Sequence, residues 1–337
     1  MKRRKVFLYT SDRVLLLFFL INDNFDDCIY ITTSNWKNFK ENIWNKLKGE
    51  KIVINGEKLE KKLMSRIFYV RKVRKNLKNL LLKIKENKYI LFGLDQQYLG
   101  KRLFFKEDMI VIEEGFLNYS EKYYGNDTFK DFIRNMILKL FRLGERKEVL
   151  GFGDRVKKIF LTENLCKEIP KGLENKAEII SLKELWNKKS EEEKKIILNV
   201  FDFNPKILKK VNENTIMLFT QPLSEDNTIS EKEKIKLYSK ILEKYDNQSI
   251  IIKPHPREKT DYSIYFSGCY VMEEKYPVEI LELVGINIKK AVTVFSSAVF
   301  GLGKNIEIDF YGTEVHPKLL EIFGSQDKIM KRNAFLD

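Results

Sequence analysis

A histidine framed by two prolines and flanked by two cations is the clearest candidate for chemistry in the sequence. His255 lies in the run Lys253-Pro254-His255-Pro256-Arg257, directly after the apolar residues 250–252. Proline on both sides restricts the backbone where it leaves a predicted strand. Holding the imidazole at the end of that strand therefore costs little conformational freedom. Two cations and a histidine suit an anion such as phosphate. We favour this interpretation over a turn with a purely structural histidine.

Two adjacent serines form a second candidate anion site. Ser296 and Ser297 follow the apolar run 292–295 and precede a predicted helix. A serine at that point is first of all a helix cap. The free N–H groups at the start of a helix nevertheless also bind anions. We expect the serines and His255 to follow neighbouring strands and to bind one phosphate together.

Carboxylates at two places are candidates for a general base. Glu113 and Glu114 end the apolar run 110–112 and precede a glycine, at the kind of strand end where open α/β sheets bind ligands. Adjacent glutamates in such a position are more often solvated loop residues. A second loop, Thr-Gln-Pro-Leu-Ser-Glu-Asp at 220–226, supplies Glu225 and Asp226 after another predicted strand. The sequence leaves the choice of base open.

Alternating strand and helix patterns must position these groups. Short apolar or β-branched runs alternate with helix-period segments, which is typical of α/β units around parallel sheets. The predicted strands are Val6–Tyr9, Cys28–Thr32, Lys51–Ile54, Tyr89–Phe92, Met109–Ile112, Ile159–Leu161, Ile216–Thr220, Ile250–Lys253, Tyr270–Met272, Ala291–Phe295 and Ile306–Phe310. The predicted helices of the second half are Ser230–Tyr245, Val278–Val284, one after Ser296, and Pro317–Phe323.

The length of 337 residues and the element pattern predict two domains. We place an N-terminal Rossmann-like domain at 1–190, a connection at 191–212 and a second Rossmann-like domain at 213–337. The connection is rich in Lys and Glu and is broken by Asn204-Pro205. A hydrophobic content of 43% supplies ample material for two cores and excludes a largely disordered chain.

The positive charge is concentrated in the N-terminal third. Residues 1–110 carry 25 basic and 12 acidic side chains, which is +13 of the formal net charge of +14. Within this third, residues 58–88 hold twelve basic residues against two glutamates, with apolar residues every three or four positions. This pattern predicts a basic amphipathic helix or helix pair, either with a solvated outer face or with a face for anionic membrane headgroups or glycolipid. Because no nucleic-acid-binding motif accompanies it, we expect no nucleic-acid partner.

Several protein classes are excluded by cysteine, histidine and hydropathy patterns. Three scattered cysteines and two histidines support neither a disulfide framework nor a zinc site. The basic N-terminus is separated by Ser11-Asp12-Arg13 from an apolar stretch, Val14–Ile21, of only eight residues. That stretch fits neither a secretion signal nor a membrane span, which needs about 20 residues. We expect a cytoplasmic protein.

In their order and separations, the candidate motifs resemble those shared by bacterial sialyltransferases. They are Glu-Glu-Gly at 113–115, Lys-Pro-His-Pro at 253–256 and Ser-Ser at 296–297, and the Thr-Gln-Pro-Leu loop at 220–223 strengthens the resemblance. The chain is most similar to glycosyltransferase family 52, the lipooligosaccharide sialyltransferases. The resemblance implies a GT-B fold, in which two Rossmann-like domains face a cleft, the C-terminal one binding CMP and the N-terminal one the acceptor.

The resemblance also implies a reaction. Sialic acid would pass from CMP-sialic acid to a galactose-type hydroxyl of a lipooligosaccharide or related glycan, with inversion and with no cofactor or required metal. Lys253, His255, Arg257, Ser296 and Ser297 would bind the phosphate, with His255 mainly a hydrogen-bond donor and secondarily a general acid. The acidic motif offers Glu113 or Glu114 as the base, whereas a base from the C-terminal domain would be Asp226 or Glu225.

Further partners follow from a lipid-linked acceptor. Such an acceptor would place the protein peripherally on the anionic inner face of the cell membrane, against which the basic segment 58–88 could attach. A homodimer is left open.

Two alternative functions remain at this point. A polysialyltransferase, or another GT-B enzyme that uses an activated phosphosugar, would share the anion site and differ in sugar-nucleotide specificity. A non-enzymatic protein that binds anionic membranes or nucleic acid would explain the charge. It would leave His255 and the paired serines without a role.

Overall fold

The structure, a computed structural model, divides into two compact units. It describes residues 4–33, 40–54, 89–95, 108–119, 149–245, 249–303 and 306–325, together with residues 72, 75, 76, 79, 80, 82 and 136. Unit 1 ends at Phe201 and unit 2 begins at Asp202, inside the predicted connection 191–212. Each unit is built on a parallel sheet, which confirms the predicted α/β class.

Unit 1 contains, within its described residues, a sheet of seven parallel strands. They are β1 (Arg4–Leu8), β2 (Cys28–Thr33), β3 (Glu50–Ile54), β4 (Tyr89–Gly93), β5 (Met109–Ile112), β6 (Val156–Thr162) and β7 (Ala177–Ile180). Their order is β3-β2-β1-β4-β5-β6-β7. The sequence predicted the first six. It did not predict the edge strand β7, because Glu178 interrupts the short apolar run there.

The apolar stretch Val14–Ile21 belongs to a core helix of unit 1. It forms most of α1 (Asp12–Ile21), in which every side chain from Val14 to Leu20 is buried. A helix that is apolar on all sides is a core helix of a larger domain. The other helices of unit 1 whose bounds lie within the described residues are α2 (Glu41–Lys46), α3 (Leu182–Lys188) and α4 (Glu191–Val200). Among the described residues, no helix combines the length and the apolar character needed to cross a bilayer.

Unit 2 contains, in the part that the structure describes, a sheet of five parallel strands. They are β8 (Thr215–Phe219), β9 (Ser249–Lys253), β10 (Tyr270–Val271), β11 (Lys290–Thr293) and β12 (Glu307–Phe310), in the order β10-β9-β8-β11-β12. The α-helices of the same described part are α5 (Glu231–Leu242), α6 (Glu279–Leu283) and α7 (Pro317–Phe323). A reciprocal capping box between Ser230 and Glu233 fixes the start of α5. The helix predicted after Ser296 is a six-residue 3-10 helix, Ser297–Leu302.

One expectation about the unit 2 sheet is wrong. The strands before His255 and Ser296 are β9 and β11, and these are not neighbours, because β8 lies between them and pairs with both. Adjacent strands lie about 4.8 Å apart, so the two strand ends are about 10 Å apart. A group bound by both loops must therefore lie over the end of β8.

Most of the basic segment 58–88 lies outside the described residues. The positions that are described within it, 72, 75, 76, 79, 80 and 82, are helical. Lys72 and Lys75 are exposed, whereas Leu80 packs against the core of unit 1. An amphipathic helix over the whole segment stays a prediction.

Candidate functional site

Three strand ends bring the candidate groups of unit 2 to one edge of its sheet. Because β9, β8 and β11 are parallel, their carboxyl ends meet at the same edge. Lys253 ends β9 two residues before His255, Thr220 follows β8, and Ser296 follows β11. The chain leaves β8 toward β9 on one side and later returns to β11 on the other. This edge is therefore the topological switch point, where open α/β sheets bind their ligands.

The imidazole of His255 is held in one defined protonation geometry. Its Nδ1 accepts a hydrogen bond from the backbone N–H of Arg257 at 3.1 Å. Burial, followed by the positive charge of Arg257, lowers the pKa of His255 from 6.5 to about 4. The ring is therefore neutral near pH 7, and with Nδ1 as acceptor its proton resides on Nε2. His255 thus presents an N–H hydrogen-bond donor without carrying a charge.

The two cations beside His255 occupy different environments. Lys253 is buried, and its ammonium donates to the backbone carbonyl of Tyr276 at 3.3 Å. The same ammonium lies 5.2 Å from the centre of the aromatic ring of Tyr276. Arg257 is exposed and forms a bidentate pair with Asp226, with N–O distances of 2.6 and 3.0 Å. Two residues predicted for different tasks, phosphate binding and proton abstraction, therefore neutralise each other in this structure.

The paired serines form a turn that is tied to β8. Ser296 caps the 3-10 helix by accepting the N–H of Ala298 at 3.4 Å, as the capping interpretation predicted. The N–H of Phe295, just before it, donates to Oε1 of Gln221 at 3.1 Å. Ser297 is exposed. Both hydroxyl side chains are thus carried by a turn that Gln221, after β8, holds in place.

Glu225 belongs to a buried ion cluster around Lys234. The ammonium of Lys234 is fully buried and lies 3.0 Å from Glu225, 3.2 Å from Glu231 and 3.7 Å from Glu258. Although burial opposes it, hydrogen bonds from the N–H of Lys259 and from Lys234 lower the pKa of Glu225 to about 2. A carboxylate held so firmly in its ionised form is a weak proton acceptor. This environment makes Asp226 the better base candidate of the two.

Glu113 and Glu114, in unit 1, have contrasting environments. The carboxylate of Glu113 is fully buried and is bound by the guanidinium of Arg13 at 2.6 Å, the N–H of Thr162 at 2.7 Å and the hydroxyl of Tyr119 at 2.5 Å. Burial and the charge of Glu113 raise the pKa of Tyr119. Glu114 is only half-buried, and its backbone N–H donates to Asn118 at 3.1 Å. Glu113 is thus suited to holding strand ends together, and Glu114 to contacting a ligand.

Sequence reasoning assigned no role to three residues that organise the unit 2 site. Thr220 and Gln221 follow β8 and reach in opposite directions. Thr220 contacts Glu258 at 2.5 Å, in the turn after His255, and Gln221 contacts the turn before Ser296. The available signal was the polar Thr-Gln pair at the end of an apolar strand. Glu258 gave none, because a glutamate three residues after a histidine is common in surface turns.

No group of three or more His, Cys, Asp or Glu side chains in the described parts of the chain is arranged to hold a metal ion. The three cysteines are unpaired thiols, two of them buried.

Known sequences match most of the length of the chain. The sequence model of glycosyltransferase family 52 matches residues 26–319. An uncharacterized protein of Haemophilus influenzae is 37% identical over 328 residues, which cover 95% of this chain and 98% of that protein.

Solved structures share the fold at low sequence identity. The GT-B domain of a Photobacterium damselae sialyltransferase has a TM-score of 0.59 at 12% identity, covering 95% of this chain and 96% of that one. A Photobacterium 2,6-sialyltransferase, solved with the donor product CMP and the acceptor lactose, has a TM-score of 0.55 at 11% identity, covering 99% and 77%. UDP-GlcNAc 2-epimerase of Methanocaldococcus jannaschii has a TM-score of 0.50 at 15% identity, covering 96% and 93%.

Proposed function

The chain belongs to glycosyltransferase family 52, and from this premise we propose that it transfers sialic acid from CMP-sialic acid to a galactose-type hydroxyl. The observation that carries the proposal is the neutral His255 with its proton on Nε2, set between two cations at the switch point of unit 2. The bound CMP and lactose of the Photobacterium 2,6-sialyltransferase, which shares the fold, support this choice of sugar donor and acceptor.

His255 acts on the leaving phosphate in this proposal. CMP departs with its phosphate negative and needs little protonation, so an uncharged N–H donor aimed at a phosphate oxygen stabilises the developing charge. The turn at Ser296, on the other side of β8, offers its hydroxyl groups to the phosphate. The buried ammonium of Lys253 adds positive charge. These groups neutralise the phosphate without a metal ion or other cofactor.

Arg257 joins the phosphate site by leaving Asp226. An exposed ion pair is worth about 0 to 1 kcal/mol, so the phosphodiester of CMP-sialic acid, which carries one negative charge, can draw the guanidinium away at low cost. The carboxylate of Asp226 is then unpaired. Sugar-donor binding and activation of a base are coupled in this way.

The general base is Asp226 or Glu114. The base takes the proton of the acceptor hydroxyl, whose oxygen attacks the anomeric carbon from the face opposite CMP while positive, oxocarbenium-like charge develops. The bond between the anomeric carbon and the phosphate oxygen breaks, and CMP keeps its electron pair. The configuration at the anomeric carbon inverts. The carboxylate of Glu113 is fully buried, and that of Glu225 is held by the buried ammonium of Lys234. Asp226 is exposed and Glu114 is half-buried, so we prefer these two.

The natural acceptor in this proposal is a lipooligosaccharide or related glycan at the inner face of the membrane. The support is the excess of positive charge in residues 1–110 and the exposure of Lys72 and Lys75. Each basic side chain near an anionic leaflet contributes about 1 kcal/mol to the free energy of membrane binding. Several of them together would hold the protein peripherally against the membrane.

A panel of sugar nucleotides tests the function. The full chain is incubated with lactose and CMP-sialic acid, UDP-galactose or UDP-GlcNAc in turn, and the product is identified by mass spectrometry. We expect a sialylated product with CMP-sialic acid alone. Transfer from a UDP-sugar instead would show a different family 52 activity, and no transfer from any donor would refute the proposal.

A further inference from the structure

The backbone after His255 forms a turn that is closed twice by Glu258. The N–H of Glu258 donates to the carbonyl of His255 at 2.9 Å, which is the hydrogen bond of a four-residue turn. In return, the side-chain Oε2 of Glu258 accepts the backbone N–H of His255 at 2.6 Å. Both backbone polar groups of His255 are therefore bound to one residue.

The carboxylate of Glu258 is itself fixed from three sides. Thr220, after β8, donates its hydroxyl at 2.5 Å, and Tyr262 donates its hydroxyl at 2.5 Å. The side chain is fully buried, with Lys234 at 3.7 Å. Burial raises the pKa of Glu258 against these hydrogen bonds. The three closest partners of the carboxylate are the hydroxyls of Thr220 and Tyr262 and the backbone N–H of His255. All three donate hydrogen bonds, which is the arrangement that an ionised carboxylate requires.

The shape of this turn determines the state of the imidazole. The N–H of Arg257 reaches Nδ1 of His255 only while residues 255–258 keep the turn. If the turn loosens, Nδ1 loses its hydrogen-bond donor, and the preference for the proton on Nε2 is lost with it.

A second histidine provides an internal comparison. His316 also precedes a proline, and its Nδ1 also accepts the N–H of the residue two positions on, Lys318, at 3.2 Å. Its turn is continued by α7. The same local contact thus occurs at a helix start for His316 and at a turn closed by a buried carboxylate for His255.

We propose that Glu258 is a positioning residue, which fixes the tautomer and orientation of His255 through the turn and so keeps the Nε2 proton directed outward. The catalytic consequence rests on the proposed function, whereas the effect on the tautomer does not. Thr220, which directly follows β8, donates a hydrogen bond to the same carboxylate. The position of the imidazole is therefore fixed relative to β8, the strand over whose end the phosphate must lie.

Nitrogen NMR of ring-labelled histidine tests the tautomer directly. The full-length chain has only two histidines, so a His316→Gln variant assigns both sets of signals. We expect the Nε2–H form alone for His255 in the unmodified protein. In Glu258→Ala we expect a mixture of both tautomers at His255 and unchanged His316 signals, whereas Glu258→Gln, which retains an acceptor for the His255 N–H, should preserve the Nε2–H form.

Kinetics separate positioning from folding. In Glu258→Ala the kcat should fall about 10- to 100-fold, as a small misplacement of a catalytic group does, with a smaller change in KM for the sugar donor. Glu258→Gln should restore most of the loss. The matched control is Glu233→Gln, because Glu233 closes the start of α5 with the same kind of contact to a backbone N–H, that of Ser230, at 2.8 Å. It should leave His255 and kcat unchanged.

A pure Nε2–H form of His255 in folded Glu258→Ala would overturn the proposal. If that variant does not fold, the tautomer of His255 is measured in Glu258→Asp instead, and a pure Nε2–H form there would overturn the proposal. The shorter side chain of Asp keeps the charge but cannot reach both His255 and Tyr262. Failure of the unmodified protein to transfer sialic acid would refute the proposed function. It would leave the NMR result standing, so the two failures are distinguishable.

Discussion

Arg257 and Asp226 form a bidentate ion pair that joins the loop after β9 to the loop after β8, with N–O distances of 2.6 and 3.0 Å. Each residue alone suggests an independent task at the phosphate or at the acceptor. As a pair they make the proposed base available only when the guanidinium has another anion to bind. Because the pair is exposed, exchanging Asp226 for a phosphate costs little.

Isosteric amides identify the general base. Asp226→Asn and Glu114→Gln each remove a proton acceptor while keeping the size of the side chain. The variant that lacks the base should lose nearly all kcat, with binding of CMP by calorimetry retained, because the base acts in the transition state. The other variant should retain kcat within a few-fold. If both remain fully active, the base is a different residue.

Loss of the Glu113 carboxylate should affect stability before chemistry. Glu113→Gln leaves Arg13 facing an uncharged amide in a buried site, and breaking a buried ion pair typically costs about 3 to 5 kcal/mol. We expect a clear fall in the free energy of unfolding, measured with urea. Glu114→Gln, at the neighbouring half-buried position, is the control and should unfold like the parent protein. Equal stability of Glu113→Gln and Glu114→Gln would contradict the structural role.

Stability should depend on His255 in mildly acidic solution. Its pKa is about 4 in the folded protein and about 6.5 when unperturbed. Between these values the unfolded chain binds a proton that the folded protein does not, so the free energy of unfolding falls as the pH falls. His255→Asn should therefore lose less stability than the parent protein from pH 6.5 to 4. Ser297→Ala is the control, and an unchanged pH dependence in His255→Asn would refute the low pKa.

The basic segment should affect a lipid-linked acceptor more than a soluble one. The test variant replaces four residues with Gln: Arg71, Lys72, Arg74 and Lys75. At about 1 kcal/mol for each basic group near an anionic leaflet, the variant should bind anionic liposomes far more weakly. It should also transfer more slowly to a lipid-linked acceptor, with transfer to lactose nearly unchanged.

A matched variant controls for the loss of charge alone. It replaces four exposed lysines in or just after α5 with Gln: Lys232, Lys236, Lys240 and Lys244. This variant should bind liposomes like the parent protein. Equal weakening of liposome binding in both variants would show a general charge effect, and an equal loss on both acceptors would place the residues of segment 58–88 in the acceptor site or the fold.

The strands and motifs could be predicted because their signals are local. The apolar run before Lys253 predicts β9, and the ordered motifs predict family 52 and a GT-B fold, both of which are confirmed. Each signal lies within a few consecutive residues. The resemblance needs only their order along the chain.

The partners of the site residues could not be predicted, because they come from distant parts of the chain. Thr220 meets Glu258 across 38 positions, and Arg13 meets Glu113 across 100. The order of β9, β8 and β11 likewise depends on how the whole unit packs. Short patterns thus indicated which side chains could react, whereas the tertiary structure decides which of them are already occupied.

Incubation of the full chain with CMP-sialic acid and lactose in EDTA, with CMP and sialyllactose measured in the same samples, tests the proposed transfer most directly. We predict equal amounts of the two products. We also predict a rate about 10²- to 10³-fold lower in folded His255→Ala, the usual effect of losing one hydrogen-bond donor to a developing anion. Absence of sialyllactose, or an undiminished rate in the folded variant, would contradict a sialyltransferase that stabilises its leaving phosphate through His255.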